Sequence, residues 1–447
     1  MMSDKKKSND MHWTGSFGFI MASAGAAIGM GNLWRFPTLV GENGGGAFVL
    51  IYLICVVVIG VPMLMAEISI GRHSGKDAWG SYGSISRPWR FLGLFAIVIS
   101  LLGLAYYSVL GGWILRYIGL SVQGISRGTG EFFADFTADT GNQIIFYIVY
   151  MAITLFIVIR GVAKGIEKAC KILMPVLFVF LIIVAVRSCT LDGAAEGLRF
   201  YLMPDFSKIT PDAWLKALGQ VFFSLSVGAG AGITYGAYLS KKESIPKNAG
   251  LVAGLDTLAA LLAGFAILPA VFAAGKSPDM GPGLIFVTLP ESFAAMPLGS
   301  VFAFVFFILV LLASVTTTIA FMEVVVAFMV QTLKMSRRAA TLICAGAATL
   351  MGIPCALSFG IWEPIKIFGK TLFDLADYSV SNIFLPISAI LTCIFIGWVW
   401  KVKNAKQELT NNGQKKFGLA GVWGQWIRFG VPVLILLIML MSLGVIG

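Results

Sequence analysis

Residues 24–46 read AGAAIGMGNLWRFPTLVGENGGG. The stretch opens as an apolar helix and then sets Gly25, Gly29 and Gly31 into it, each helical glycine costing roughly 1 kcal/mol against alanine. The spacing predicts a helix that breaks around Ala26–Gly29. Backbone groups freed inside a membrane are tolerated only when buried in protein or facing a polar cavity. Carbonyls of the first half-helix can then coordinate a cation, while the N–H groups of Met30 and Gly31 open a second half-helix that attracts an anion. That geometry suits a carboxylate beside a sodium ion. The alternative reading is a kink that lets a neighbouring helix pack closely, as small residues do in membranes.

The rest of the chain agrees with a membrane setting. Of 447 residues, 58% are hydrophobic and only 12% charged, and mean hydropathy is +0.87. Apolar runs occupy approximately residues 14–39, 45–70, 91–122, 142–160, 165–186, 213–239, 248–274, 299–333, 339–357, 368–400 and 427–446, which makes about eleven helices and leaves no soluble catalytic domain. The net charge of +11 does not form a nucleic-acid face, because the basic residues sit in short loops between spans. Arg72, Lys76, Arg87 and Arg90, then Lys164, Lys168 and Lys171, then Lys241, Lys242 and Lys247 fall in every second loop and so on one side, as do Lys334, Arg337 and Arg338 and finally Lys401, Lys403 and Lys406. The positive-inside rule puts these loops and the N-terminus in the cytoplasm, and an odd number of spans puts the C-terminus outside. The two histidines, His12 and His73, both flank spans, so a buried histidine-dependent triad or zinc site is excluded. The six cysteines are scattered, form no CxxC pair, and read as packing residues.

Span six repeats the anomaly of span one: residues 220–232 read QVFFSLSVGAGAG. Two glycine-interrupted spans five apart enter from opposite sides, the pattern of an inverted-repeat transporter. Ionisable residues within spans include Arg35, Glu67, Asp256, Glu323, Asp374 and Asp377, each a functional candidate because charge in hydrocarbon is costly. Glu67 and Glu323 read equally well as internal pairs that only hold helices together. Residues 313–318, ASVTTT, place a hydroxyl cluster in span eight. Such hydroxyls commonly bond back to their own helix, and with adjacent carbonyls they also make a cage for a hard cation.

GNLWRFP followed by GENGGGAF, with SLSVGAG in span six and the threonine cluster in span eight, resembles the neurotransmitter:sodium symporter family, in particular its bacterial eleven-span amino acid transporters. The resemblance covers nearly the whole chain. It implies one all-α integral membrane transporter domain of two inverted five-helix repeats, approximately 12–188 and 211–402, with helices 1 and 6 broken and an additional helix at 427–446. It also implies two sodium sites. The first would use the Ala27 carbonyl with Asn32, Ser224 and Asp256; the second would use carbonyls of Gly25, Ile28 and Ala313 with the hydroxyls of Thr316 and Thr317. The substrate carboxylate would meet the Gly31 N–H and the Tyr107 hydroxyl, and its ammonium the carbonyls of Ala27, Phe223 and Ser224, with Ser226 nearby. Pocket positions Gly103, Ala229, Thr317 and Phe321 would surround the side chain. Arg35 and Asp377 resemble an outer charged gate, with Gln220 beside Arg35, Asp374 one turn away, and Tyr107 and Phe223 as an aromatic lid.

Four departures sharpen these expectations. Amine-transporting relatives carry aspartate where this chain has Gly29, so the substrate must bring its own carboxylate and be an amino acid. Ala229 and Phe321 together favour a bulky hydrophobic or aromatic side chain. Tyr52, Gln220 and Ser224 match a chloride cradle, yet Ala260 replaces its serine and Asp256 its asparagine. A fixed carboxylate then stands in for the anion, so transport should be chloride-independent, with proton uptake on the empty return step as a corollary. At the inner end, Asp10 and Gln331 stand where the family has an arginine–aspartate pair, leaving closure to another contact such as Lys5–Lys7 or Tyr238. The expected activity is sodium-coupled import of a neutral amino acid through the cell membrane, with no organic cofactor and no nucleic acid. A transport-inactive amino acid sensor or a channel of the same fold are the alternatives.

Overall fold

A computed structural model describes residues 12–125, 128–276, 283–442 and 445. Among them nine helices are long and apolar enough to cross a bilayer, and one bent pair makes a tenth span. That pair is α1, whose halves Ser16–Ala27 and Gly31–Glu42 meet at 53°. It is followed by α2 (Gly46–Ser74), α3 (Arg87–Gln123), α4 (Thr140–Val158) and α5 (Val162–Cys189). The sixth span, α6, is again in two pieces, Pro211–Ser224 and Ala231–Ala237. Each piece is too short to cross alone, and residues 225–230 between them are not helical. The order closes with α7 (Ile245–Ala273), α8 (Gly299–Gln331), α9 (Arg337–Leu357), α10 (Leu372–Val399) and α11 (Ala420–Met441). The eleven expected spans are thus present, the first and sixth broken at the glycines that predict the breaks.

Loop-side ends are set by local chemistry. Asp139, Thr210, Ser244, Ser336 and Thr371 each turn a side-chain oxygen to a free N–H of the helix that follows, worth about 1 kcal/mol apiece. The longest spans, α3 and α8, pack along one another, and the first half of α1 is wedged among α5, α7 and α8. The second half of α6 packs on α2 and α8. Both breaks therefore lie at the centre of the bundle, whereas Val57, Ile145, Val186 and Leu350 turn outward, as faces solvated by lipid do.

On the basic-loop side, the short helix Val402–Leu409 is clamped to the end of α2. The fully buried Arg72 donates to Glu408 Oε1 at 2.7 Å and to the Glu243 carbonyl at 2.6 Å, and Lys241 reaches both Glu408 oxygens at 2.8 and 2.9 Å. Burial alone would raise the Glu408 carboxyl, but hydrogen bonds from His73, Lys241 and Arg72 outweigh it and hold the group at about 2. A pKa depressed in the folded state stabilises above the ordinary value of 4.5, and that contribution is lost as pH falls from 4.5 through 2. Thermal unfolding followed from neutral pH downward should show this acid limb. Glu408→Gln should be less stable at neutral pH, because it leaves Arg72 poorly paired, and should flatten the limb. An unchanged limb in that variant would assign it to another group.

Candidate functional site

The break in α6 leaves backbone groups that other helices satisfy one by one. The Gly228 N–H donates to Glu67 Oε1 on α2 at 2.7 Å, and the Gly228 carbonyl accepts from Ser388 on α10 at 2.8 Å. Ser100 on α3 donates to the Ala229 carbonyl at 2.7 Å. Gly228 and Gly230 have φ of +95° and +80°, values that side-chain-bearing residues rarely adopt. Ser226 also has positive φ, +51°, and its hydroxyl donates to the Ala26 carbonyl at 3.1 Å, tying the two breaks together. Glu67 makes no ion pair among the described residues and instead holds an opened backbone.

Beside the break in α1, Asn32 lies at the centre of a buried polar cluster. Its Oδ1 accepts from the Gly29 N–H at 3.2 Å, and its Nδ2 donates to Asp256 Oδ1 at 2.8 Å and to the Asp256 carbonyl at 3.0 Å. The Ser224 hydroxyl donates to the same carboxylate at 2.8 to 2.9 Å. The Tyr52 hydroxyl lies beside Asp256, Ser224 and Thr257, and Gln220 Oε1 is buried without a hydrogen-bond partner among the described residues. The cluster is rich in oxygen, fully buried and carries one carboxylate.

A second group of oxygens sits between α1 and α8. Thr317 Oγ1 donates to the Ala313 carbonyl at 3.2 Å and, at a long 3.5 Å, to that of Gly25. Thr316 bonds back to Leu312 and Ala313 at 3.1 and 3.0 Å. A Cβ at Gly29 would come within 2.6 Å of Thr317 Oγ1, so the bare backbone there is what admits the hydroxyl. Ile28, the residue that leaves the helix with ψ of +95°, adjoins this group.

Between the two oxygen groups is an enclosed cavity of about 10 Å³, room for little more than one water. Ala27, Gly31, Tyr107, Phe223, Ser226, Ala229, Thr317 and Phe321 all line it, as the sequence predicts for them. Two predicted residues do not. Ser224 is turned to Asp256, and Gly103 is covered by Phe321, whose ring would stand 3.0 to 3.3 Å from a Cβ at that position. The space beside Gly103 is therefore filled by Phe321. Ile99, Tyr106, Val380 and Leu385 complete the wall and were missed. Ser100 was missed too, although it shares the face of Gly103 and Tyr107 at i, i+3 and i+7. The Tyr107 hydroxyl lies near the Gly31 N–H, and the Phe223 ring lies directly over Gly31.

The residues expected at the gates have the following partners. Arg35 and Asp377 form no ion pair among the described residues. The guanidinium instead sits 4.7 Å from the centroid of the Phe223 ring, and Asp377 accepts from Ser381 at 3.2 Å. Gln220 donates to the Gly31 carbonyl at 2.9 Å rather than serving Arg35, and Asp374 is exposed to solvent and bonded to Thr371. At the opposite end, Asp10 and Lys5–Lys7 lie outside the described residues. Trp13 plugs that end, donating its ring N–H to the Tyr235 carbonyl at 2.9 Å and packing edge-on against Tyr235 and Tyr238. Tyr238 donates to Glu323 at 2.9 Å, and Arg337 pairs with Glu323 at 2.5 Å. Gln331 accepts from the Asp77 N–H at 2.8 Å, so it holds a loop helix. A cleft of about 750 Å³ opens below, lined by Tyr238, Gln331, Asp77, Arg90 and Lys334.

The arrangement has known counterparts. The sequence model of the sodium:neurotransmitter symporter family matches residues 10–126 and 134–446. An uncharacterised sodium-dependent transporter of Bacillus subtilis is 37% identical over the full length of both chains. An uncharacterised sodium-dependent transporter of Haemophilus influenzae is 39% identical over 96% of this chain and 98% of its own. Among solved structures, MhsT in complex with L-phenylalanine superposes with a TM-score of 0.89 at 42% identity, covering 96% of this chain and 99% of that one.

Proposed function

This chain belongs to the sodium:neurotransmitter symporter family, a family of membrane transporters and not of enzymes, and from that premise we propose that it imports a neutral, bulky hydrophobic or aromatic amino acid with sodium by alternating access. One observation carries the reading: two broken spans, joined by Ser226, present two buried oxygen groups on either side of a closed apolar cavity. One sodium would be held by the Ala27 carbonyl, Asn32, Ser224 and Asp256, with the substrate carboxylate completing the shell. The second would be held by the carbonyls of Gly25, Ile28 and Ala313 and the hydroxyls of Thr316 and Thr317. All are hard oxygen donors, as a hard cation requires. The Gly31 N–H, at the mouth of a half-helix, and the Tyr107 hydroxyl would orient the substrate carboxylate. The basic loops support a cytoplasmic N-terminus and entry from the far side.

The substrate class follows from the walls. Ile99, Val380, Leu385 and the rings of Tyr107, Phe223 and Phe321 offer an apolar, stackable surface. The complex of MhsT with L-phenylalanine supports the same class. Because the cavity is so small when closed, a large side chain enters only if Phe223 or Phe321 swings aside. Asp256 in place of an anion supports chloride independence, and the need to return that carboxylate without sodium supports proton uptake on the empty step.

Ala229→Phe is the test of substrate class. It should move preference from phenylalanine and tryptophan toward alanine and glycine by about tenfold or more, the size of effect that added bulk produces in a fitted apolar pocket. Competition binding across the common amino acids reads it out. Selectivity unchanged in that variant would remove Ala229 from the pocket wall that sets substrate size.

A further inference from the structure

Arg428 is a charged residue within α11 that no part of the transport machinery uses. Such residues are rare in spans and usually have a partner. Arg428 has no ion pair among the described residues, and its Nε is buried without a hydrogen-bond acceptor. Its stem crosses α10 at Gly397, where a Cβ would stand 2.9 Å from Arg428 Cγ. The guanidinium then lies 5.2 Å from the Trp398 ring and 5.0 Å from the Phe429 ring. Trp398, Trp400, Trp423 and Trp426 gather at this end of α10 and α11, the kind of belt that marks the boundary between hydrocarbon and headgroups. Arg428 therefore presents an unneutralised cation near headgroup level.

An apolar groove of about 830 Å³ lies along α11, over Val422, Trp426, Phe429, Gly430 and Val433, and the Phe429 ring that lines it is the one Arg428 approaches. At its loop end the Lys406 ammonium lies 4.0 Å from a Cβ placed on Gly421. Lys401, Lys403, Lys415 and Lys416 are exposed in the same loop. The one nearby carboxylate described there, Glu408, is already engaged by Arg72 and Lys241, so it does not cancel this charge. We propose that the groove beside Arg428 and Lys406 is a binding site for one anionic phospholipid of the adjoining leaflet, its acyl chain along α11 and its phosphate at the two cations. A zwitterionic headgroup brings a cation of its own and gains less.

Native mass spectrometry of the full chain, released from nanodiscs of equal phosphatidylglycerol and phosphatidylcholine, tests this. Wild type should retain one phosphatidylglycerol in preference to phosphatidylcholine. Arg428→Gln and Lys406→Gln should each weaken retention about fivefold, the effect of one basic residue near a lipid surface, while Arg428→Lys should keep most of it. Lys406 is partly exposed, so its variant reports on binding even where Arg428→Gln folds poorly. Equal retention of the two lipids by wild type, or phosphatidylglycerol retention that Lys406→Gln leaves unchanged, would overturn the site. So would displacement of the lipid by inorganic phosphate alone.

Discussion

Asp256→Asn should reduce sodium-driven uptake by about two to three orders of magnitude in chloride-free medium. Asp256 is fully buried and supplies the charge of its cluster, accepting from Ser224 and from Asn32. Unit charges 4 Å apart at an effective dielectric of 20 interact by about 4 kcal/mol, and each 1.4 kcal/mol is roughly tenfold in affinity. Asparagine removes the charge while its amide oxygen can still accept from Asn32 and Ser224, so the loss reads the charge itself. If the carboxylate acts as a fixed anion, Asp256→Asn combined with Ala260→Ser should recover uptake when chloride replaces gluconate. Wild-type uptake that itself collapses without chloride would refute chloride independence.

Gly228→Ala should abolish substrate binding and lower stability by about 2 to 4 kcal/mol. A left-handed backbone costs a non-glycine residue roughly 1 to 2 kcal/mol. Moreover, the added Cβ would approach the Leu385 carbonyl to 2.8 Å and Ser388 Cβ to 3.2 Å. Either shift stretches the bonds to Glu67 and Ser388, and losing buried hydrogen bonds costs about 1 to 3 kcal/mol each. Gly250→Ala is the control. Nothing lies within 4 Å of a Cβ there, so it should be neutral or gain up to about 1 kcal/mol in its helix. Thermal unfolding of the two variants side by side separates them, and a stable, substrate-binding Gly228→Ala would mean that the break in α6 does not depend on this conformation.

The breaks were legible because glycines in an apolar run have few uses, and their repetition five spans later narrows those uses further. Backbone partners were not legible. Nothing about Glu67, Ser100 or Ser388 in isolation tells that each serves a main-chain group of α6, since the group served bears no side chain that a sequence could display. The packing at Gly103 was not legible for a related reason. A small residue makes space only if no neighbour enters it, and Phe321, more than two hundred positions away, does. At the outer gate, opposite charges specify that Arg35 and Asp377 can pair, but not how closely in one state, nor that the guanidinium lies over the face of Phe223 here. At the inner end the missing arginine–aspartate pair pointed correctly to another contact, and Tyr238, one of those named, meets Trp13 and Glu323.

Sodium coupling is tested most directly by uptake of labelled phenylalanine into proteoliposomes holding the purified full-length chain. Accumulation above the external concentration is expected only with an inward sodium gradient, unaffected by replacing chloride with gluconate and lost in Asn32→Ala and Thr316→Ala. Equal uptake with potassium in place of sodium on both sides would contradict it.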